Sequence, residues 1–314
     1  MSEHALDSNG RLRHLITLEG LGRQHIEDLL DRACELRLAF ADGACGPQLL
    51  RGRTIVNLFF EASTRTRSSF ELAARRLGAT VLNFEMSSSS TSKGETLEDT
   101  LATLEAMQAD AFVVRHRENG TPERLARHAK RAAVLNAGDG NHAHPTQGLL
   151  DALTIRDRHP DFSRLKVTLC GDIRHSRVAR SDLHVLGALG TGEIRLCGPA
   201  ALMPPVDEFP GCRVFEDFDD ALSGSDVLIM LRLQRERMAE ALVSDEAEYF
   251  RRFGLTSERL RHAAPEALVM HPGPMNRGIE IAADVADGPQ SVILEQVSNG
   301  IPVRMAALAS LLGA

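Results

Sequence analysis

Short apolar runs alternate with helical patterns along most of this chain, and they do so in two series. In the first, the runs Ile55–Phe60, Val81–Phe84, Ala111–Val114 and Ala133–Leu135 are separated by the helical stretches Ser68–Leu77, Leu97–Met107 and Pro122–Ala129. The series restarts with Lys166–Cys170, Glu193–Cys197, Asp226–Leu231 and Ala267–Met270, and the helical stretch Val178–Leu189 fills its first gap. Such strand–helix alternation predicts an α/β fold with mainly parallel sheets. An amphipathic helix is predicted earlier, over Leu21–Phe40, with Ile26, Leu29, Leu30, Ala33 and Leu36 on one face. The chain has 314 residues, more than one ordinary core holds. Two doubly wound domains are therefore predicted, 1–147 and 148–299, joined by interdomain helices. A helix over Gly148–Arg158 opens the second, and a final helix, Ile301–Leu312, lies in a segment 300–314 expected to pack back on the first.

The donor-rich segments of the chain all follow predicted strands. Ser63-Thr64-Arg65-Thr66-Arg67 comes after the first run and just before a helix. At such a junction free backbone N–H groups and the positive end of the helix dipole converge. Three hydroxyls and two guanidiniums added to that spot suit a phosphate. Arg115 follows the third run, and His144-Pro145-Thr146-Gln147 follows the fourth through a Gly-rich loop. In the second series Arg177, Arg232 and Gln234 follow strands, as does His271-Pro272-Gly273-Pro274. Arginines suit bidentate recognition of carboxylates. Clefts between α/β domains, at the carboxyl ends of strands, are where ligands usually sit. A phosphate site facing a carboxylate site points to group transfer between two anionic substrates. Direct attack of one on the other needs positioning and stabilisation of negative charge, with no covalent enzyme intermediate.

Several classes are disfavoured. The net charge of −7 argues against bulk nucleic-acid binding. Five cysteines without C-x-x-C spacing predict neither a disulfide framework nor a zinc site, and Cys170 and Cys197 read as core residues. There is no Walker loop, and Gly171-Asp172-Ile173 is not a dinucleotide fingerprint. The polar start of the chain and the lack of a membrane-length apolar stretch predict a soluble, cytoplasmic protein.

Phe60-Glu61-Ala62-Ser63-Thr64-Arg65-Thr66-Arg67-Ser68-Ser69-Phe70-Glu71 resembles the carbamoyl-phosphate motif of the transcarbamylase family. His144-Pro145-Thr146-Gln147 resembles its second motif. Ser89 with Lys93-Gly94-Glu95-Thr96, Arg232-Leu233-Gln234 and His271–Pro274 resemble the family's aspartate-specific branch. The likeness runs from about Leu15 to the C-terminus. It implies transfer of a carbamoyl group from carbamoyl phosphate to L-aspartate, in pyrimidine synthesis, without metal or organic cofactor. By matching positions, Ser63, Thr64, Arg65 and Thr66 would hold the phosphate with help from Arg115. Thr66, Arg115 and His144 would polarise the carbamoyl oxygen, Gln147 would hold its NH2, and the backbone at Gly273-Pro274 would orient the group. Arg177, Arg232, Gln234 and Lys93 would bind aspartate. Ser89 and Lys93 would be donated by a neighbouring subunit, implying a homotrimer with shared sites. Association of trimers with regulatory or dihydroorotase-type chains is a further assembly that the resemblance allows.

One branch of the family has His-Pro-Leu-Pro-Arg where this chain has His271-Pro272-Gly273-Pro274-Met275-Asn276-Arg277, which leaves the role of Arg277 open. Blander readings stand beside the sharp ones. A Ser/Thr-rich helix start is usually only a cap. Arg67, as a support for Arg65 or a partner of an acid such as Glu61, reads as structural, as do Glu61, Glu95, His116 and His271. The rival functions are an ornithine transcarbamylase and a catalytically silent assembly subunit. A nicotinamide-dependent dehydrogenase shares the fold class but needs the missing fingerprint.

Overall fold

The computed structural model describes residues 5–41, 46–85, 96–205, 207–233 and 246–314. Ser89, Lys93, Glu95 and Gln234 lie outside the described residues. The chain divides into two compact units, Met1–Leu150 with Ser298–Ala314, and Asp151–Val297.

The first unit begins with α1 (Arg23–Ala39), which buries Ile26, Leu29, Leu30, Ala33 and Leu36. Then follow β1 (Thr54–Phe59), α2 (Thr64–Arg76), β2 (Thr80–Glu85), α3 (Leu97–Ala106), β3 (Ala111–His116), α4 (Thr121–His128) and β4 (Ala133–Asp139). Their sheet is parallel throughout, in the order β2-β1-β3-β4. Val56, Leu58, Phe112, Val114 and Val134 point to one face, where Leu101, Leu104 and Leu125 of α3 and α4 cover them. The alternate residues Ile55, Val113 and Leu135 are buried as well. Two buried faces explain why these strands read as unbroken apolar runs. A polar ladder joins α2 to the sheet: Asn57 Nδ2 donates to Asn83 Oδ1 at 2.8 Å, and Asn83 Nδ2 to Glu71 Oε2 at 2.9 Å.

From α5 (Pro145–Arg158) the chain enters the second unit. It continues through β5 (Lys166–Cys170), α6 (Arg177–Ala188), β6 (Glu193–Cys197), β7 (Cys212–Phe215), α7 (Phe218–Leu222) and β8 (Val227–Met230). After these come α8 (Glu246–Phe253), α9 (Ser257–Leu260), β9 (Leu268–Met270), α10 (Ala283–Ala286) and α11 (Ile293–Leu311). The sheet order is β7-β6-β5-β8-β9, again all parallel. Cys170, Cys197, Leu228 and Met230 meet Phe218, Tyr249 and Phe253 in its core.

In both sheets the strand order reverses direction once, between β1 and β3 and between β5 and β8. Connections leave such a pair of strands in opposite directions and open a crevice at their carboxyl ends. The α/β fold with two parallel sheets is the one the alternation predicts.

Several boundaries differ from expectation. Helix α2 begins at Thr64 rather than Ser68, and α5 at Pro145 rather than Gly148. Proline suits the first turn of a helix, where its missing N–H has no partner to lose. Strand β7 was hidden because it is a four-residue edge strand with exposed Arg213 and Val214. Helix α11 starts eight residues before Ile301 and runs through Gly300, with Pro302 inside it. A Cβ at Gly300 would lie 2.3 Å from Arg304 Nη1, so the guanidinium would have to move to admit one. That guanidinium is buried over the Phe70 ring, 5.0 Å from its centroid.

The entry to β4 hangs on one acid. Buried Glu105 accepts the N–H groups of Lys130 at 3.2 Å, Arg131 at 2.6 Å and Ala132 at 2.7 Å. Burial alone would raise its pKa, but these donors and Arg131 together hold it below the ordinary 4.5. A lowered carboxylate pKa gives stability above the unfolded value, lost as pH falls through the folded one. Glu105→Ala is expected to cost roughly 3 kcal/mol in urea denaturation at neutral pH, because the donors are left unsatisfied. Glu105→Gln, which keeps one acceptor, should fall between the variant and the parent. An Ala variant as stable as the parent would refute this role.

Candidate active site

The first cluster is built at the reversal between β1 and β3. After Phe59 the chain turns through Phe60–Ala62 into Ser63, the N-cap residue of α2. Ser63 makes no side-chain cap hydrogen bond. Its hydroxyl donates instead to Thr66 Oγ1 at 2.9 Å. The first-turn N–H groups of α2 are thus not taken up by Ser63, contrary to the capping reading. Thr64 and Arg65 are exposed, while Thr66 is buried and its carbonyl accepts Ser69 Oγ at 2.9 Å. Phe70, Ala73 and Ala74 anchor the helix from its buried face.

Arg115 stands directly opposite Phe59 in the β1–β3 register, and Phe60 N–H donates to its carbonyl at 2.9 Å. Its guanidinium is 8% exposed. Nη1 donates to Ala137 O at 3.1 Å, and Nη2 lies 3.4 Å from Glu61 Oε2. Glu61 therefore pairs with Arg115. The neighbouring strand β4 delivers His144, Thr146 and Gln147, all buried, at the start of α5. The His144 carbonyl accepts Gln147 N–H at 2.9 Å.

Asp139 is the residue that shapes this last loop, and it was missed in the sequence reading. Fully buried, it accepts hydrogen bonds from Gly120 N–H at 2.7 Å, Asn136 Nδ2 at 2.8 Å and Ala143 N–H at 3.1 Å. His142 Nδ1 lies 3.0 Å from its Oδ2. The flanking Gly138 and Gly140 both have positive φ, 115° and 41°. Gly-Asp-Gly before a helix was the one available signal.

The second cluster is built at the reversal between β5 and β8. Gly171 ends β5 with φ 132°, and a Cβ there would lie 2.7 Å from Leu231 O. Only glycine lets the two strand ends approach this closely. Asp172, fully buried, then accepts His175 N–H at 3.1 Å and stands 2.9 Å from His175 Nδ1. Ser176 caps α6 by accepting Ala179 N–H at 3.1 Å, and buried Arg177 is the first residue of that helix. From β8 the chain reaches half-buried Arg232 and buried Leu233.

Glu280, also missed, holds these segments together. It is fully buried and accepts Leu233 N–H at 3.0 Å, Asn276 N–H at 2.7 Å and Asn276 Nδ2 at 2.8 Å. Burial outweighs these donors and raises its pKa above the ordinary 4.5. It fixes both the approach to Arg232 and the turn after Pro274. Within that turn Gly273 has φ 62°, its N–H donates to His271 Nδ1 at 2.8 Å, and the Gly273–Pro274 peptide is cis. Arg277 has a structural occupation: it makes a two-pronged pair with Asp287 at 2.7 and 2.8 Å. Among the described residues there is no group of three or more His, Cys, Asp or Glu able to hold a metal. No described helix is long and apolar enough to cross a membrane.

The chain belongs to the aspartate/ornithine carbamoyltransferase family. Residues 13–157 match that family's carbamoyl-P binding domain, and residues 163–311 its Asp/Orn binding domain. A relative from Xanthomonas campestris pv. campestris (strain B100), named aspartate carbamoyltransferase catalytic subunit, is 59% identical over 315 residues and covers 100% of both chains. Among solved structures, ornithine carbamoyltransferase from Pyrococcus furiosus matches with TM-score 0.86 at 28% identity, covering 96% of this chain and 97% of that one. Aspartate transcarbamoylase from Trypanosoma cruzi, in complex with carbamoyl phosphate, matches with TM-score 0.85 at 32% identity, covering 95% and 96%.

The Asp139–His142 pair makes the loop before His144 sensitive to pH. The hydrogen bond with Asp139 outweighs burial and raises the His142 pKa above 6.5. Burial favours the neutral form of Asp139, but His142, Asn136 and Gly120 overcome it and lower its pKa below 3.8. A raised histidine contributes fully below its unfolded pKa and loses that contribution as pH rises through the folded value; a lowered aspartate behaves in the opposite sense. The pair is therefore strongest between the two ordinary values. His142→Gln is expected to flatten the decline in thermal midpoint as pH rises above 6.5. An unchanged slope in the variant would show that the pair contributes nothing.

Proposed function

We propose that this chain catalyses carbamoyl transfer from carbamoyl phosphate to L-aspartate, giving N-carbamoyl-L-aspartate and phosphate, a step of pyrimidine synthesis. The observation that carries the reading is the placement of the two clusters. Each occupies the carboxyl ends of the strands where its own sheet reverses order, with phosphate-type donors in one and arginines in the other.

In this mechanism the first-turn N–H groups of α2, with Ser63, Thr64, Arg65 and Thr66, bind the phosphate, and Arg115 assists. Thr66, Arg115 and His144 direct hydrogen bonds at the carbamoyl oxygen, where negative charge develops. Gln147 holds the carbamoyl NH2, and the backbone at Gly273 and Pro274 orients the group. Arg177, Arg232, Gln234 and Lys93 bind the two carboxylates of aspartate. The neutral amine attacks the carbamoyl carbon and forms the C–N bond. The C–O bond to phosphate then breaks, and the departing phosphate accepts the amine proton. Ser89 and Lys93 come from a neighbouring subunit of a homotrimer.

The aspartate branch is supported by the full-length 59% identity and by Arg232 with Gln234, which suit a side-chain carboxylate better than an ammonium group. Likeness to the ornithine enzyme in overall structure makes ornithine the acceptor to exclude. Assays of the purified protein with each amino acid should show carbamoylation of aspartate. Activity with ornithine alone would overturn the assignment, and failure to bind a phosphonate–dicarboxylate bisubstrate mimic by calorimetry would favour a silent subunit.

Arg65→Ala is expected to lower kcat by about 10²–10³, the usual effect of losing one donor from a preorganised anion site. Near-normal turnover in a folded variant would remove Arg65 from the site. Subunit sharing has its own check. Inactive Lys93→Ala and inactive Arg65→Ala chains, dissociated and mixed, should regain partial activity, since some sites in mixed trimers receive neither substitution. No recovery in verified mixed trimers would count against a donated Lys93.

A further inference from the structure

Residues of α5, α6 and α11 that lie in the second unit bring a chain of buried polar groups to the His271–Pro274 turn. The backbone N–H of His271 donates to Gln296 Oε1 at 2.9 Å. A backbone N–H can only donate, so the Gln296 amide has one orientation: its oxygen faces His271. Its NH2 then donates to Asp151 Oδ1 at 2.7 Å, which makes Asp151 an acceptor. Asp182 of α6 lies within hydrogen-bonding reach of Asp151. Asp151, Asp182, Gln296 and His271 are each at most 2% exposed.

Neither oxygen of Asp182 has a conventional donor. Burial and the neighbouring Asp151 are what act on its acidity, both favouring the neutral acid. Two carboxylates in contact inside a protein cannot both ionise. One proton resolves the conflict by turning repulsion into a charge-assisted hydrogen bond. Gln296 donates to Asp151, so the proton belongs on Asp182.

We propose that Asp182 and Asp151 share one proton, carried on Asp182, and that this pair positions the His271–Pro274 turn through Gln296. The proposal rests on the reading above that Gly273 and Pro274 orient the carbamoyl group. The link continues past Gln296: His271 Nδ1 accepts Gly273 N–H at 2.8 Å, so the backbone and ring of His271 pass the constraint to the turn. Asp182 and Asp151 are positioning residues that touch no substrate.

The infrared difference spectrum between the parent protein and Asp182→Asn tests the shared proton. At neutral pH the parent should show the carbonyl stretch of a protonated carboxyl, and the variant should lack it. This arm is independent of turnover. In kinetics, Asp182→Asn keeps a neutral donor to Asp151 and should hold kcat within about twofold. Asp182→Ala removes the donor and should lower kcat about tenfold with little change in KM for aspartate, as expected when a reacting group is slightly misplaced. Gln296→Met cuts the link beyond the pair and should lower kcat similarly while the carboxyl band remains.

A difference spectrum without a lost carboxyl band overturns the shared proton. A lost band with unaltered kcat in both Asp182→Ala and Gln296→Met overturns the positioning role. If Asp182→Ala fails to fold, Gln296→Met decides that role by the same comparison. A parent protein that transfers no carbamoyl group would refute the functional reading instead, and the infrared arm would still decide the pair.

Discussion

A parallel strand that ends inside a protein leaves backbone N–H groups beyond the sheet with no partner strand to accept them, and each needs another acceptor. In this chain buried carboxylates take that part. Asp139 gathers the loop after β4, Asp172 the turn after β5, and Glu280 the segments after β8 and β9. The same device works at the opposite strand ends, where Glu105 serves the entry to β4 and Asp226 accepts Lys166 N–H at 2.8 Å before β5. Loops that bind substrate must turn their own donors outward. Acids behind the loops allow this, because they hold the backbone without using the outward-facing groups.

That arrangement explains how an acidic protein of net charge −7 can present sites for anions. The carboxylates behind these loops are occupied by backbone N–H groups, and Glu61 by Arg115. Glu61 and the Ala137 carbonyl hold Arg115 from two directions, and Glu280 restrains the backbone beside Arg232. A guanidinium fixed before ligand arrives loses less conformational freedom on binding. Arg65 differs: it is exposed on the first turn of α2, where the helix terminus supplies part of the field.

The strands and the faces of α1 were legible in the sequence because burial on both sides of a sheet, or on one side of a helix, leaves a periodic apolar record. Strand β7 left none, since an edge strand with two exposed positions has no apolar run. The start of α11 was placed too late, at Ile301, whereas the helix runs on through Gly300, whose missing side chain leaves room for the Arg304 guanidinium one turn later. Candidate binding residues such as Ser63 and Arg115 could be found because their types cluster after strands. Glu280 could not, because an acid that accepts backbone N–H groups needs no particular neighbours in sequence and its partners are chosen by the fold; Asp139 left only its Gly-Asp-Gly setting. For Lys93 and Gln234, which lie outside the described residues, the motif alone speaks.

The choice of acceptor substrate shows why fold and function separate at this point. The structural likeness is equal, in effect, to an ornithine enzyme and to an aspartate enzyme, with TM-scores of 0.86 and 0.85. That score follows helices and sheets, which serve either acceptor equally well. Under the proposed reading, discrimination resides in the charge of a few side chains at the ends of β5 and β8. Arg232 and Gln234 are the most telling of these. Arg232 is half-buried beside Leu233, whose N–H is held by Glu280. A cationic acceptor side chain placed against Arg232 would meet a like charge, a cost of several kcal/mol when water is excluded. A carboxylate in the same place gains a charge-assisted hydrogen bond. Selectivity of this kind needs no change of backbone, and two enzymes can therefore share a fold closely while preferring acceptors of opposite charge.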